Sequence, residues 1–344
     1  MIDALYPLAR KCLFHLDPES AHHLSMVGLR LAENTGLLGL LSPSDDLLKP
    51  IEIMGLRFPN RVGLAAGLDK EGNTIDALGR LGFGCIEVGT ITPRPQPGNP
   101  KPRLFRLVRH EAIINRMGFN NPGIDVGVIN VLRMKRYRGI VGFNIGKNKV
   151  TPNEQAADDY LECLRKAYLV ADYVAVNLSS PNTPGLRELQ GAEASARLLE
   201  LLKKEQQVLA DRHERQVPLL FKVAPDLDED HIKALSKVFL DGGLDGLIAT
   251  NTTLDRSGVE SHPNAGEAGG LSGRPLRDKS QAVLQAFASH LGGRIPIIGV
   301  GGISSVEDAR ERMRAGASLV QIYTSFIYQG PRLVREIARG LAEG

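Results

Sequence analysis

Ile297-Ile298-Gly299-Val300-Gly301-Gly302-Ile303-Ser304-Ser305 is the stretch on which the fold turns: a short apolar run, a glycine turn, then a serine suited to open a helix. An apolar run without polar alternation reads as a strand buried on both faces, as in a parallel sheet covered by helices. A helical pattern follows over Ser305–Ala315, and Leu319–Ile322 is a second run of the same kind. The unit is strand, helix, parallel strand. Outward from it, further runs stand at Val62–Ala66, Cys85–Val88, Val141–Asn144, Tyr173–Asn177, Leu219–Val223 and Gly246–Ala249. Helical patterns fill the gaps, among them Asn73–Leu81, Ala156–Ala171 and Asp228–Leu240, with Pro331–Leu341 after the last strand. Strand and helix alternating in this way predict an α/β fold, a (β/α)8 TIM barrel, with a doubly wound open sheet as the alternative. Two segments fall outside the repeat. Residues 91–119, rich in Pro, Arg and Gly, read as a long excursion on the catalytic face, and residues 251–277 as a second, mobile loop or lid.

The first 45 residues have a different pattern. Ile2, Leu5, Tyr6, Ala9, Leu13 and Leu16 recur at helical spacing, and Asp17-Pro18 reads as the N-cap and first turn of a second helix through Ala32. The chain thus divides into an N-terminal helical segment, 1–45, and a barrel domain, 46–344. The helices predict either a hairpin packed on the barrel or a pair whose apolar faces enter a membrane interface, aided by Arg10, Lys11 and Arg30. The Leu37–Leu41 run fits either reading.

Bulk properties exclude several classes. Apolar residues at 42% and charged residues at 24% are those of a globular chain. A net charge of +3 with no run of five basic residues offers no footprint for nucleic acid. Cys12, Cys85 and Cys163 form no Cys-x-x-Cys pair, which points to a reducing compartment and away from a disulfide framework or a metal site. Asp3, Arg10 and Lys11 interrupt the N-terminus where a secretory signal needs an apolar core, and no stretch reaches the roughly 18 apolar residues of a spanning helix.

In a barrel, chemistry sits where strands end. The first strand runs into Ala66-Gly67-Leu68-Asp69-Lys70, small residues that admit a flat ring beside a cation. The next strands end in Thr90, Asn144, Asn177, Lys222 and Thr250-Asn251-Thr252. Each is an ordinary turn or cap residue alone; together they line a pocket for a polar, planar ligand. Gly299–Ile303 and Tyr323-Thr324-Ser325 follow the seventh and eighth strands, the usual phosphate site of this fold. No Gly-x-Gly-x-x-Gly opens a first strand–helix unit, so a mononucleotide is favoured over a dinucleotide. A phosphate there and Lys222 reaching a ring edge suggest FMN, whose anionic reduced form an ammonium stabilises. Asn115, Asn177, Asn182 and Asn251 can present amides to a cyclic amide, with Lys70 pairing a carboxylate. Ser180 is the candidate general base of the loop Asn177–Asn182, although a serine is a poor base unless desolvated and linked to a relay, and the residues alone favour a turn serine.

These residues resemble the class 2, quinone-linked dihydroorotate dehydrogenases of pyrimidine biosynthesis. The similarity runs through nearly the whole chain and is carried by Ala66–Lys70, Lys101–Arg106, Asn115–Asn120, Asn177–Arg187, Thr250–Thr252, Gly299–Ile303 and Tyr323-Thr324. It implies that dihydroorotate loses a proton to Ser180, relayed by Thr183, and a hydride to FMN beside Lys222. It implies FMN contacts at Ala66, Gly67, Leu68, Asp69, Lys70, Thr90, Asn144, Asn177, Lys222, Thr250, Gly273, Gly302, Tyr323 and Thr324. Substrate contacts are implied at Lys70, Asn115, Arg116, Met117, Gly118, Phe119, Asn177, Asn182, Asn251 and Thr252. The N-terminal helices are implied to form a tunnel for ubiquinone or menaquinone, with His22, Arg106 and Tyr323 at its inner end. The implied location is peripheral, on the cytoplasmic face of the cell (inner) membrane. Soluble class 1 enzymes carry a cysteine base and lack the extension, whereas this chain has Ser180 and the helices. Two rivals remain at this stage. One is a tRNA dihydrouridine synthase, which needs a cysteine acid and a basic RNA surface; the other is a non-redox barrel acting on phosphorylated metabolites.

Overall fold

The computed structural model describes residues 2–41, 47–134 and 136–343. Helices α1 (Ile2–Phe14) and α2 (Pro18–Asn34) come first. Asp17 caps α2 by accepting from the backbone N–H of Ser20 at 2.9 Å, and Pro18 fills the first turn, where no N–H is needed. An antiparallel hairpin follows, β1 (Ile51–Ile53) and β2 (Leu56–Phe58). Its turn residues Met54 and Gly55 both have positive φ, 56° and 71°, the geometry that matches the twist of paired strands.

The remainder is the barrel. The chain runs through β3 (Val62–Leu64), α3 (Ile75–Gly79), β4 (Cys85–Ile91), β5 (Leu104–Leu107), β6 (Ala112–Asn115), α4 (Ile124–Leu132) and β7 (Ile140–Ile145). It continues through α5 (Ala156–Ala167), β8 (Tyr173–Asn177), α6 (Ala192–His213), β9 (Leu219–Val223), α7 (Glu229–Asp241), β10 (Gly246–Ala249) and β11 (Gly270–Gly273). Last come α8 (Arg277–Leu291), β12 (Ile297–Val300), α9 (Val306–Arg314), β13 (Ala317–Ile322), α10 (Thr324–Gln329) and α11 (Pro331–Ala342). Strands β3, β4, β7, β8, β9, β10, β12 and β13 pair in parallel and close in that order, β13 returning to β3. The open-sheet alternative is thereby excluded.

Along each strand alternate residues face the barrel axis. Cys85, Tyr173, Leu220, Ile248, Ile298 and Leu319 cluster there with Ile53 and Phe58, so the β1–β2 hairpin stoppers the end of the barrel away from the strand-end loops. Outward-facing residues, such as Val174, Phe221 and Val320, join the larger core under the helices. The hairpin was not expected, because the alternation of strand and helix begins only after it.

The two segments outside the repeat meet. β5, β6 and β11 form one antiparallel sheet, with Gly270 opposite Asn115 and Leu104 opposite Asn115 on the other side. This corrects the reading of 251–277 as a loop, since its last part is a strand. Alternation could not reveal it: Gly270-Leu271-Ser272-Gly273 is too short and glycine-rich to look like one.

The N-terminal helices sit on the barrel through a few polar anchors. Tyr6 donates to the carbonyl of Ile327 at 2.7 Å, Arg10 to that of Tyr328 at 2.5 Å, and Arg30 to Asn73 Oδ1 at 2.8 Å. Arg10 and Arg30 thus each have a partner on the barrel. Glu19 on α2 takes both Arg103 Nη2 at 2.7 Å and Nε at 3.1 Å. The other face stays open: Leu5, Leu8, Leu24, Leu31 and Leu37 are all more than half exposed. Within the Leu37–Leu41 run, Leu38 is buried and Leu37 is not. The expected boundary near residue 45 lies outside the described residues. Among the described residues no helix is long and apolar enough to cross a membrane.

Because Phe58 is fully buried in the stopper, Phe58→Ala should cost about 3–5 kcal/mol of unfolding free energy in urea titrations. A loss below about 1 kcal/mol would show that the hairpin carries little of the barrel's stability.

Candidate active site

The ends of β3, β4, β8, β9, β10, β12 and β13 open onto one cavity of about 1370 Å³, counted with its mouth. Its wall brings together Ala66, Gly67, Lys70, Thr90, Asn115, Asn177, Ser180, Asn182, Lys222, Thr250, Asn251, Thr252, Gly273, Gly302, Tyr323 and Thr324. Met117, Gly118 and Phe119 join from the excursion, and the cavity runs on to Glu19 and His22 on α2. Most of the residues singled out from sequence thus share one space.

The amides are held in two bonded groups. Asn177 donates through Nδ2 to Thr90 Oγ1 at 3.0 Å and accepts through Oδ1 from Asn251 Nδ2 at 3.2 Å. Asn251 Nδ2 also reaches Ser179 Oγ at 2.9 Å, and Asn182 Nδ2 donates to Asn115 Oδ1 at 3.2 Å. Fixing each amide by a neighbour presets which of its ends faces a ligand. Ser180 is buried, and its Oγ accepts from the backbone N–H of Asn182 at 3.2 Å. The Thr183 hydroxyl, one turn further on, is buried with no partner among the described residues.

Electrostatics at the cavity wall favour an anion. Burial, and secondarily the nearby Arg103, pull the Lys70 ammonium down to about 8, with Glu19 and Glu71 opposing. Lys70 donates to Asn120 Oδ1 at 3.0 Å. His22 is held at about 4, first by burial and then by Lys70, so its ring is neutral near pH 7. Two glycines of the wall are required by close backbone packing: a Cβ on Gly302 (φ +69°) would collide with the Arg277 backbone, and one on Gly273 (φ +95°) with the carbonyl of Glu111. Thr324 and Ser325 begin α10, whose first N–H groups have no helical acceptor.

Several residues fall elsewhere. Leu68 is packed in the outer core, and Asp69 turns toward α3, accepting from the N–H of Thr74 at 2.9 Å. Arg116 points outward, to Glu267 at 2.5 Å and over the Phe105 ring at 4.6 Å. Arg106 lies off the cavity wall; it donates to the carbonyls of Leu13 and Leu16 and stacks on Phe14, bracing the α1–α2 turn. Asn144 lies just beneath the wall, accepting from Thr90 Oγ1 at 2.5 Å and donating to Glu87 Oε1 at 2.7 Å.

Arg187 was quoted only as the end of a motif, yet it holds the loop Asn177–Asn182. It donates to the carbonyls of Ser179 at 3.1 Å and Thr252 at 3.0 Å, with Asp226 Oδ2 at 2.9 Å as counter-charge. Asp226 is itself fixed by Lys279 at 3.0 Å and by Thr253. Glu87, wholly buried inside the barrel, was also missed. A single acidic residue within the apolar run Cys85–Ile91 was the available signal.

The dihydroorotate dehydrogenase profile matches residues 49–344. The chain belongs to the dihydroorotate dehydrogenase family. A protein of Akkermansia muciniphila named dihydroorotate dehydrogenase (quinone) is 60% identical over 344 residues, covering 99% of this chain and 98% of its own. Proteins of the same name from Methylobacillus flagellatus and Neisseria meningitidis are 57% and 55% identical, each across 98% of this chain and 99% and 100% of their own. In three dimensions the ligand-free dihydroorotate dehydrogenase of Eimeria tenella superposes with a TM-score of 0.84 at 40% identity, over 94% of this chain and 93% of that one. The full-length matches include the N-terminal helices, which the family profile leaves out.

Lys70 gives a pH test. Its charge is complete below about 8 and is lost as the pH rises through that value. Affinity for a carboxylate probe, orotate being suitable, should be flat from about pH 6 to 7 and then fall toward about tenfold per unit above about 8. Equilibrium titration that stays flat to about pH 10 would remove Lys70 as the carboxylate partner.

Proposed function

We infer that this chain oxidises dihydroorotate to orotate and passes the electrons to a quinone, a step of pyrimidine biosynthesis. One observation carries the reading: Ser180, the four substrate-facing asparagines and Lys222 line the same cavity that continues to His22 under the N-terminal helices. The cofactor of such an enzyme is a flavin, and the residues here fit FMN. Gly302, Gly273 and Thr324 line the cavity where backbone can take a phosphate, Gly67 and Ala66 line the place of a flat ring, and Lys222 supplies a cation at its edge. Bound there, the flavin supplies the hydride acceptor.

The chain's own part is positioning and proton transfer. Asn115, Asn177, Asn182 and Asn251 fix the ring amide of the substrate, and Lys70 takes its carboxylate. Ser180 Oγ accepts the proton from the ring carbon. The Asn182 N–H bonded to Oγ favours the alkoxide character a serine base requires, whereas burial opposes it, so the proton must pass on through a relay. The unpartnered Thr183 hydroxyl suits the next position in the relay. Arg187 keeps the Ser179–Ser180 backbone in register with Thr252.

The quinone, ubiquinone or menaquinone, enters between α1 and α2 and meets the neutral His22 and Tyr323. The exposed leucines of these helices seat the protein peripherally on the cytoplasmic face of the cell (inner) membrane. An apolar quinone dissolved in lipid then reaches the cavity without crossing water.

The central test is optical. Purified protein should be yellow, and anaerobic dihydroorotate should bleach it; Ser180→Ala should keep the flavin but slow bleaching about 10²–10⁴-fold in stopped flow. A colourless protein that cannot be reconstituted sinks the oxidoreductase reading, and near-normal bleaching by the variant sinks the base. Deleting residues 1–40 should abolish quinone turnover and its stimulation by lipid while sparing bleaching by dihydroorotate. Retained quinone turnover in the truncated protein would refute the tunnel.

A further inference from the structure

Beneath the cavity floor the barrel carries a charged layer where branched aliphatic residues are usual. Glu87 on β4 is completely buried, and Lys222 on β9 nearly so, with Nζ 3.4 Å from Glu87 Oε1. The same carboxylate takes three further donors: Asn144 Nδ2 at 2.7 Å, Tyr173 OH at 3.0 Å and Gln321 Nε2 at 2.9 Å. Gln321 Nε2 also reaches Tyr173 OH at 3.1 Å. Five strands therefore contribute to one cluster. Room for it is made by glycines: a Cβ on Gly142 would collide with the Tyr173 ring, and one on Gly63 with Cys85 Sγ.

A buried ion pair is weak evidence for stability, because desolvating both charges offsets their attraction. Its presence here needs another reason, and the geometry offers one. Lys222 and Gln321 face the cavity on one side and Glu87 on the other, so the carboxylate sets how much positive potential the lysine projects upward.

We propose that Glu87 is a positioning residue that partly neutralises Lys222, and through it sets the reduction potential of the flavin above. This rests on the flavin reading of the cavity. Two-electron reduction adds negative charge to the ring, and an ammonium at its edge stabilises that charge. A counter-charge at 3.4 Å behind the ammonium weakens the effect in a site of low dielectric. The layer is thus a brake on the flavin's oxidising power. It holds the potential between that of the dihydroorotate couple, which must donate, and that of the quinone, which must accept.

The test is potentiometric titration of the holoenzyme against redox dyes at pH 7. Glu87→Gln keeps the shape and removes the negative charge. It should favour reduced flavin at least about tenfold in the equilibrium constant, a rise of about 30 mV for a two-electron couple. Tyr173→Phe removes a donor from Glu87, leaves its charge more effective, and should shift the potential the other way by a smaller factor. A midpoint in Glu87→Gln that is unchanged within twofold, or lowered, overturns the proposal, as does a rise in Tyr173→Phe. Should Glu87→Gln purify without flavin, the sign of the Tyr173→Phe shift alone decides. A colourless wild-type protein would instead sink the cofactor reading. A yellow wild type with unshifted variants sinks only the role given to Glu87.

Discussion

Closure of eight parallel strands imposes the constraint from which the rest follows: each inward side chain must occupy one of a few stacked layers, with a fixed neighbour on either side. At one end the layer is apolar, sealed by Phe58 and Ile53 of the hairpin. Two residues further along β4, β9 and β13 the inward positions carry Glu87, Lys222 and Gln321. Beyond them lie the strand ends and the cavity. Polarity therefore rises along the barrel axis from stopper to mouth. The apolar base bears the cost of holding a charged layer out of water, since nothing at that level can relax to admit solvent.

The strands and their end residues were legible because two periodicities, one for strand and one for helix, fall within short windows. Lys222 follows Leu219-Leu220-Phe221 and could be placed at a buried strand end from that alone. Ser180 could not, since a desolvated serine and a turn serine look alike until the loop around them is seen. Contacts made between distant segments left no local trace. β11 is recognisable only by its pairing with β6, and Arg187 only by carbonyls from two different loops. The partners of Arg10 and Arg30, a carbonyl of Tyr328 and an amide of Asn73, are likewise distant in the chain.

The N-terminal helices show a division between anchoring and exposure. Their hold on the barrel combines directional bonds, among them those of Tyr6, Arg10, Glu19 and Arg30, with the burial of Met26 in the outer core. Their leucines remain outward. A hairpin meant to be buried would bury those leucines and leave its charges free. The reverse arrangement lets α2 contribute Glu19 and His22 to the cavity while its other face stays available to an apolar phase.

The sheet of β5, β6 and β11 stitches together two segments that stand more than a hundred residues apart in the chain. Gly270 and Leu104 flank Asn115 from either side, so the ligand-facing end of that sheet has backbone partners on both edges. Neither segment is then an independent module. Anyone grafting one of these loops onto another barrel would carry over an unpaired strand edge, open to pairing with other chains. The two must be transplanted together, or exchanged between relatives as one unit, for the Asn115 side of the cavity to survive.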